Sequence, residues 1–493
     1  MKGTEPRISF FRVLRDSVSG FETSMPRRNV QILVIACVVC LLCAYRSSRY
    51  ARVVTYALEQ IEFKALEPKP ARKLAEAAIR GMTEILDPYS SYISEEDLPR
   101  FAEELDRQFG GVGIEIFVEP KTRKICVASP LPNTPAQRAG IRPGDIIIAI
   151  NGEPTEGLSL EQAAKKMRGE PGTDVTLTIQ TPGEEKPRDV KLKREVIKAE
   201  TVLGDSRNPD GSWNFVLQEH PDIGYVRLPT FAEDSDKRLR EILEQLRKKN
   251  IRGLILDLRD DPGGRLEVAV AICDMFINSG VIVTTRYRDG RIKAQYTASG
   301  QPVCPDLPLV VLINRFSASA SEIVAACLQD HQRAKVVGER SFGKGTVQEL
   351  IQLEPGMGLL KLTTAAYWRP SGKNIHRMAG ADESQEWGVK PDPGWEVPLG
   401  KEELETLLRY RALRDIYLPP GSPKPEGFDK IPENFRDRQL DRAVECLQKE
   451  IEAASRKEHP QDRSASTTAS PVSTISGMSG LGKSISYAIA CPT

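Results

Sequence analysis

The sequence predicts an α/β chain of several domains, and three observations predict it. A strand–turn–helix rhythm over 253–277 recurs over 308–330, as repeated ββα units would show. Ahead of it, 109–200 reads as five short strands around one helix, a smaller α+β module. Charged stretches of helical periodicity lie on either side of these two regions. At 493 residues, 40% hydrophobic and 28% charged, the chain has material for more than one core. A net charge of +1 requires no strongly basic face, so nucleic-acid binding is not the default class.

Residues 1–29 are polar and basic, ending in Pro26-Arg27-Arg28, and Val30 to Tyr45 is an almost unbroken apolar run. A spanning helix needs ~20 such residues, with a range down to ~17. No small-x-small cleavage site follows directly, so 1–48 reads as a cytoplasmic segment plus an uncleaved transmembrane signal anchor. Arginines on both flanks leave the orientation open on charge alone. Three of the nine cysteines, Cys37, Cys40 and Cys43, fall in this run. No second C-x-x-C matches theirs, so neither a zinc site nor a disulfide framework is indicated.

From 49 to 108 the pattern is helical, with Leu74, Ala77, Ala78 and Met82 on one stripe. Asp87-Pro88-Tyr89-Ser90-Ser91-Tyr92 breaks it with a turn, and a helix resumes from Glu95 to Arg107. The module at 109–200 opens on Phe109-Gly110-Gly111-Val112-Gly113-Ile114, and its helix starts at a capping box, Ser159 to Gln162. In the core at 201–393, Ile223–Leu228 is a strand, Ser235–Lys248 an amphipathic helix and Gly253–Leu258 a buried strand. A turn follows, Arg259-Asp260-Asp261-Pro262-Gly263-Gly264, and then a helix to about Ile277. Leu359–Tyr367 is a later strand. Residues 394–460 are charged and largely helical, and 461–493, rich in Ser, Thr and Gly, reads as a disordered tail.

Chemistry concentrates after the buried strand Leu309–Ile313, where Phe316-Ser317-Ala318-Ser319-Ala320-Ser321-Glu322-Ile323 runs into an apolar helix. Three serines on small-residue ground stand at a helix N-terminus, where N–H groups and the dipole favour an oxyanion. A Ser-rich helix cap, with Glu322 helping to close it, is the plainer alternative. A nucleophilic serine needs a base, and the four histidines are His220, His331, His376 and His459. His331, nearest in sequence, lies 12 positions past Ser319 (331 − 319), roughly 18 Å along the same helix at ~1.5 Å per residue. Lys344, in Phe342-Gly343-Lys344-Gly345, is the other candidate, because desolvation there favours a neutral amine.

These two segments together resemble the carboxy-terminal processing proteases, a tail-specific serine protease family. There the nucleophile and the base lysine stand 25 positions apart, as Ser319 and Lys344 do (344 − 319), which implies Ser319 rather than Ser317 or Ser321. The family's glutamine four residues after the lysine falls on Gln348 and implies an orienting role. Asp257-Leu258-Arg259 with Pro262-Gly263-Gly264 matches as well. It implies an oxyanion hole from the N–H of Ala320 and of one glycine, Gly263 or Gly264, between which the sequence does not choose. The resemblance covers about 75–393 and implies a crotonase-like ββα core, no metal, no cofactor, and an extracytoplasmic, periplasmic placement of the exported body.

The module at 109–200, with Ala139-Gly140-Ile141-Arg142-Pro143-Gly144-Asp145 and Ile150-Asn151-Gly152, looks like a PDZ domain. Such domains take a peptide as an added strand and hold its terminal carboxylate on backbone N–H groups. Gly111, Val112, Gly113 and Ile114 are the stretch for that nest. Arg168, just after the helix, is the candidate regulatory residue coupling peptide occupancy to the active site; a solvated arginine is the plainer alternative. The implied partners are protein substrates through their C-terminal tails and a membrane through the anchor. Whether a homodimer forms is left open. Two rivals from other classes are a catalytically silent PDZ scaffold and a crotonase-type acyl-CoA enzyme.

Overall fold

The structure, a computed structural model, describes residues 28–29, 31–37, 49–119, 122–418, 432 and 434–458. Residues 31–37 are helical, and the rest of the expected anchor, like the expected tail at 461–493, lies outside the described residues. Among the described residues no helix is long and apolar enough to cross a membrane. Two compact units are distinguished. One takes the described residues up to Leu98 together with Glu349–Leu362, and the other those of Pro99–Gln348 and Thr363–Thr493.

The first unit holds α1 (Arg49–Lys64), α2 (Ala71–Glu84) and β1 (Ser91–Ile93). The expected turn is there, because the Asp87 carboxylate accepts the N–H groups of Tyr89 and Ser90 at 2.9 and 3.0 Å. It ends sooner than expected. Ser91, Tyr92 and Ile93 pair antiparallel with Lys361, Leu360 and Leu359, and the Tyr92 hydroxyl donates to the Met357 carbonyl at 2.9 Å. The partner strand lies some 270 residues on, so local turn signals do not reveal it.

In the second unit α3 (Leu98–Asp106) leads to β2 (Gln108–Gly111), β3 (Ile114–Val118) and β4 (Ile125–Pro130). A short helix, α4 (Pro135–Arg138), is an addition to the single helix expected here. Then come β5 (Ile146–Ile150), β6 (Glu153–Pro154), α5 (Leu160–Met167), β7 (Asp174–Gln180), β8 (Arg188–Lys193) and β9 (Glu195–Lys198). The antiparallel sheet runs β3-β4-β5-β7-β8, with β6 on β5, so β3 is an edge strand. Strand β7 alternates inside and outside, sending Val175, Leu177 and Ile179 onto Ala163 and Met167 of α5. Strands β2 and β9 form a separate ribbon, Gly110 opposite Val196. The capping box of α5 is present: Gln162 N–H donates to Ser159 Oγ at 3.2 Å and Ser159 N–H to Gln162 Oε1 at 2.8 Å.

After a small ribbon, β10 (Ser206–Arg207) and β11 (Trp213–Asn214), the core begins with β12 (Ile223–Arg227), α6 (Ser235–Lys248) and β13 (Gly253–Asp257). It continues through α7 (Leu266–Asp274), β14 (Val281–Arg286), β15 (Ile292–Thr297), β16 (Leu309–Ile313), α8 (Ala320–Asp330) and β17 (Lys335–Gly338). Strands β12-β13-β16-β17 form a parallel sheet with Tyr225 opposite Ile255, Leu256 opposite Val311 and Leu312 opposite Val337. Both β13 and β16 are buried along their whole length, which is why they read as unbroken apolar runs. Leu254, Leu256, Val311 and Ile313 face α6, α7 and α8; Ile255, Val310 and Leu312 face the other way. Strands β18 (Thr346–Gln352) and β19 (Leu359–Trp368) pair as a hairpin, and β19 also pairs with β14.

Two helices close the described chain, α9 (Lys401–Asp415) and α10 (Arg438–Glu458). Among the described residues of 394–460, those of α10 thus pack on the core, as composition alone did not reveal. Ala443, Val444, Leu447 and Ile451 of α10, spaced at helical period, cover the second face of the parallel sheet. A buried ionic network also ties the C-terminal helices to the end of β13. The Asp257 carboxylate takes the Tyr225 hydroxyl at 2.7 Å, Arg259 at 2.7 Å and Arg411 at 2.5 Å, and Arg259 reaches on to Asp437 at 2.8 Å. Burial would push the Asp257 carboxyl up, but the two guanidinium groups outweigh it and hold it well below the usual carboxylate range. Replacing Asp257 by alanine takes the shared carboxylate from two buried cations, leaving Arg259 with Asp437 and Arg411 with Asp260. The expected cost is about 3–5 kcal/mol, read from urea unfolding. A loss under 1 kcal/mol would mean that the network carries little of the core.

Candidate active site

Ser319 stands between β16 and α8 with φ 59° and ψ −112°, a conformation that costs a non-glycine residue about 1–3 kcal/mol. The neighbouring serines are occupied. Ser317 Oγ donates to the Leu258 carbonyl at 2.8 Å and accepts from Asn314 N–H at 2.9 Å, and Ser321 Oγ donates to the Asp261 carbonyl at 3.0 Å. Both are fully buried and serve the turn. Ser319 retains 8% exposure, with the buried phenol of Tyr367 on β19 as a polar neighbour. Of the three serines, Ser319 is the one that keeps any exposure.

The strained turn is held from both sides. On one side is Gly263, where a Cβ would lie 2.7 Å from the Ala318 carbonyl oxygen and 2.9 Å from both Ser319 Cβ and Ala320 N. No side chain fits there, so the glycine turn after β13 rests directly on the elbow. On the other side is Glu322, one helical turn into α8 and fully buried. Its carboxylate accepts Ser319 N–H at 2.8 Å, Gly343 N–H at 2.7 Å, Lys344 N–H at 2.8 Å and the Ser341 hydroxyl at 2.5 Å. One side chain thus fastens the backbone of Ser319 to the backbone of Lys344. Burial pushes its carboxyl up to about 7 even with four donors converging on it.

The lysine loop has further anchors: Phe342 N–H donates to the Ser317 carbonyl at 3.0 Å, Tyr367 N–H to Gly345 at 2.7 Å and Arg377 N–H to Gly343 at 2.9 Å. Gln348 lies four residues on in β18, and its amide nitrogen donates to Thr346 Oγ1 at 3.0 Å and Thr363 Oγ1 at 3.1 Å. With both amide hydrogens so engaged, Gln348 Oε1 is the part of that side chain suited to accept from an amine. The two glycines differ in a way the sequence does not show. Gly263 N–H is already donated to Asp261 Oδ1 at 2.7 Å, whereas Gly264 N–H and Ala320 N–H have no acceptor among the described residues. His376 follows the buried Ile375, its Nδ1 buried without a hydrogen-bond partner.

The expected peptide-binding stretch lies elsewhere in the fold, at the start of the edge strand β3. Gly113, at φ +74°, bends the chain so that its carbonyl accepts Leu131 N–H at 2.9 Å and that of Val112 accepts Ala136 N–H at 3.0 Å. Gly111 closes β2 and Ile114 opens β3. Arg168 ends α5 with its guanidinium 4.5 Å from the centre of the Phe109 ring, a cation–π contact rather than a contact with the elbow. Sequence reasoning missed Tyr367, which it read only as a strand end, and Ser341, and it gave Glu322 only a capping role. The Glu322 signal was present, three residues after Ser319; what it reaches is set by tertiary approach.

Residues 222–393 match peptidase family S41, and residues 126–181 match a PDZ domain. The carboxy-terminal-processing protease of Bartonella bacilliformis is 37% identical over 399 residues, 78% of this chain and 85% of that protein. The carboxy-terminal processing protease CtpA of Bacillus subtilis is 34% identical over 69% of this chain and 68% of its own length. Among solved structures, the photosystem II D1 C-terminal processing protease is 30% identical over 69% of this chain and 86% of that one, with a TM-score of 0.41. The chain belongs to the carboxy-terminal-processing proteases, serine-type peptidases of family S41 that here carry a PDZ domain.

Proposed function

We propose that this peptidase takes proteins by their C-terminal ends and cuts them with Ser319 as nucleophile, Lys344 as base and Gln348 as the group that orients the lysine. The observation that carries this reading is the Glu322 carboxylate, which bonds the N–H groups of Ser319 and Lys344 together. Neutral Lys344 accepts the Ser319 proton as Oγ adds to the scissile carbonyl, and then returns it to the leaving amine. Water, deprotonated by the same amine, releases the acyl group. The N–H groups of Gly264 and Ala320 hold the oxyanion, and losing one such donor costs ~10²–10³ in turnover. Gly263 serves by close approach, its own N–H being taken.

Tail capture falls to Gly111–Ile114 and the edge strand β3. Inward-turned carbonyls at Val112 and Gly113 leave backbone N–H groups for a terminal carboxylate, and β3 offers a free edge for an added strand. The parallel sheet with a helix after three of its four strands supports a crotonase-like ββα core. The apolar run at 30–45 supports a membrane anchor, and the extracytoplasmic, periplasmic side for the catalytic part is taken from the family resemblance. The test is hydrolysis of a protein bearing an unstructured C-terminal tail, with products weighed by mass spectrometry. Cleavage within the tail that disappears in Ser319→Ala supports the reading; cleavage that survives Ser319→Ala refutes it.

Arg168 is proposed as the residue that reports occupancy, because it packs on Phe109, directly ahead of Gly110 and Gly111. Arg168→Ala is expected to lower turnover of tailed substrates several-fold with an unchanged melting temperature. Unchanged turnover removes Arg168 from the account.

A further inference from the structure

The glycine turn contains a second buried acid that the reaction above does not use. Asp261 is fully buried, its Oδ1 accepts Gly263 N–H at 2.7 Å, and its Oδ2 is buried with no hydrogen-bond partner. Its main-chain carbonyl accepts Ala318 N–H at 2.9 Å and the Ser321 hydroxyl at 3.0 Å, so the residue joins the glycine turn to the Ser319 elbow. The surrounding charges are engaged elsewhere: Arg259 with Asp257 and Asp437, Asp260 with Asn314 and Arg411, and Arg265 with Asp106. From α8 the facing groups are the Ser321 hydroxyl and Glu322, which has its own four donors. From the end of α3 the exposed Arg107 supplies only a weak attraction across space. The loop over Thr230–Phe231, which bonds Gly263 through its carbonyl, brings no charge.

We propose that Asp261 is a positioning residue that works as a neutral acid, seating the glycine turn against the nucleophile without placing a negative charge beside the oxyanion site. Desolvation dominates at this carboxyl and pushes it well above its usual range, outweighing Gly263 N–H, the Ser321 hydroxyl and Arg107. Ionisation would put an uncompensated charge next to the Gly264 and Ala320 donors, where the developing oxyanion has the same sign. Turnover therefore falls on the alkaline side as Asp261 loses its proton, while the acid side belongs to Lys344. This inference rests on the proposed Ser319 and Lys344 chemistry.

The test compares wild type, Asp261→Asn and Asp261→Ala in the full chain, by kcat and KM against pH and by melting temperature against pH. An asparagine keeps the acceptor for Gly263 N–H and cannot ionise. It is expected to retain turnover and to lose the alkaline decline, while Asp261→Ala loses at least ~10-fold in kcat with little change in KM. The melting arm follows from linkage. A folded-state carboxyl above its unfolded value gives stability that is fully present below the unfolded pKa and is lost as pH rises through the folded one, so Asp261→Asn gains on wild type progressively as pH rises from ~4. An alkaline decline identical in Asp261→Asn, with a melting difference that does not vary with pH, overturns the proposal. The melting arm needs no turnover, so its failure counts against Asp261 alone, whereas hydrolysis surviving Ser319→Ala counts against the parent reading.

Discussion

Lys344→Ala lowers turnover of a tailed substrate by about 10⁴-fold, leaves the melting temperature within a few degrees and leaves tail-peptide affinity unchanged. The loss is large because the proposed mechanism gives the Ser319 hydroxyl one base, on the loop whose backbone Glu322 ties to that of Ser319. Stability survives because the loop at 342–346 is fixed by backbone bonds to Ser317, Tyr367 and Arg377 and through Glu322, none of which needs the lysine side chain. Peptide affinity survives because Gly111–Ile114 joins the β2–β9 ribbon to the sheet that β3 opens, and Val112 and Ile114 pack in that module's own core. The check is steady-state kinetics beside a peptide titration followed by fluorescence anisotropy. Retained turnover contradicts the assignment of the base; lost peptide binding contradicts the division of labour.

Glu322→Ala has the second largest expected effect, and it acts on stability and turnover together. It leaves three buried backbone N–H groups and the Ser341 hydroxyl without their acceptor, each worth about 1–3 kcal/mol when stranded. The Ser319 elbow is strained and the lysine loop loses its tie to it, so kcat should drop at least ~10²-fold alongside a lowered melting temperature. Glu322→Gln is a poor substitute, because its amide nitrogen presents hydrogens to N–H donors. A pH signature accompanies the effect. Burial raises the Glu322 carboxyl to about 7 in the folded protein, so its contribution is fully present below the unfolded value and fades as pH rises through about 7. Melting curves between pH 4 and 8 should lose that component of their slope in Glu322→Ala; an unaltered slope would show that Glu322 is not the titrating group.

Much of the candidate site is legible in the sequence because it is local. The buried strand Leu309–Ile313, the small-residue turn and the apolar helix give a tight strand-to-helix elbow carrying the candidate serine, and Pro262-Gly263-Gly264 announces a turn that admits close approach. What the sequence hides is set by long-range approach. Ser317 and Ser321 look equivalent to Ser319 until Leu258 and Asp261 are brought within hydrogen-bond distance. Gly263 and Gly264 look equivalent until Asp261 takes one of the two N–H groups. Tyr367 lies 48 positions after Ser319 (367 − 319) on another sheet and gives no local sign of meeting it. The charged C-terminal stretch reads only as largely helical because α10 is polar on most of its surface, yet its apolar stripe covers one face of the parallel sheet. Likewise β1 is hidden in a turn signal, since the strand that pairs with it is supplied by the far end of the chain.

The most direct test is to label the protein with an irreversible serine-reactive acylating probe and locate the adduct by peptide mass spectrometry in wild type, Lys344→Ala and His376→Ala. The expected result is one adduct on Ser319, formed at least ~10³-fold more slowly without Lys344 and at the wild-type rate without His376. An adduct on Ser317 or Ser321, or labelling that ignores Lys344 and fails without His376, contradicts it.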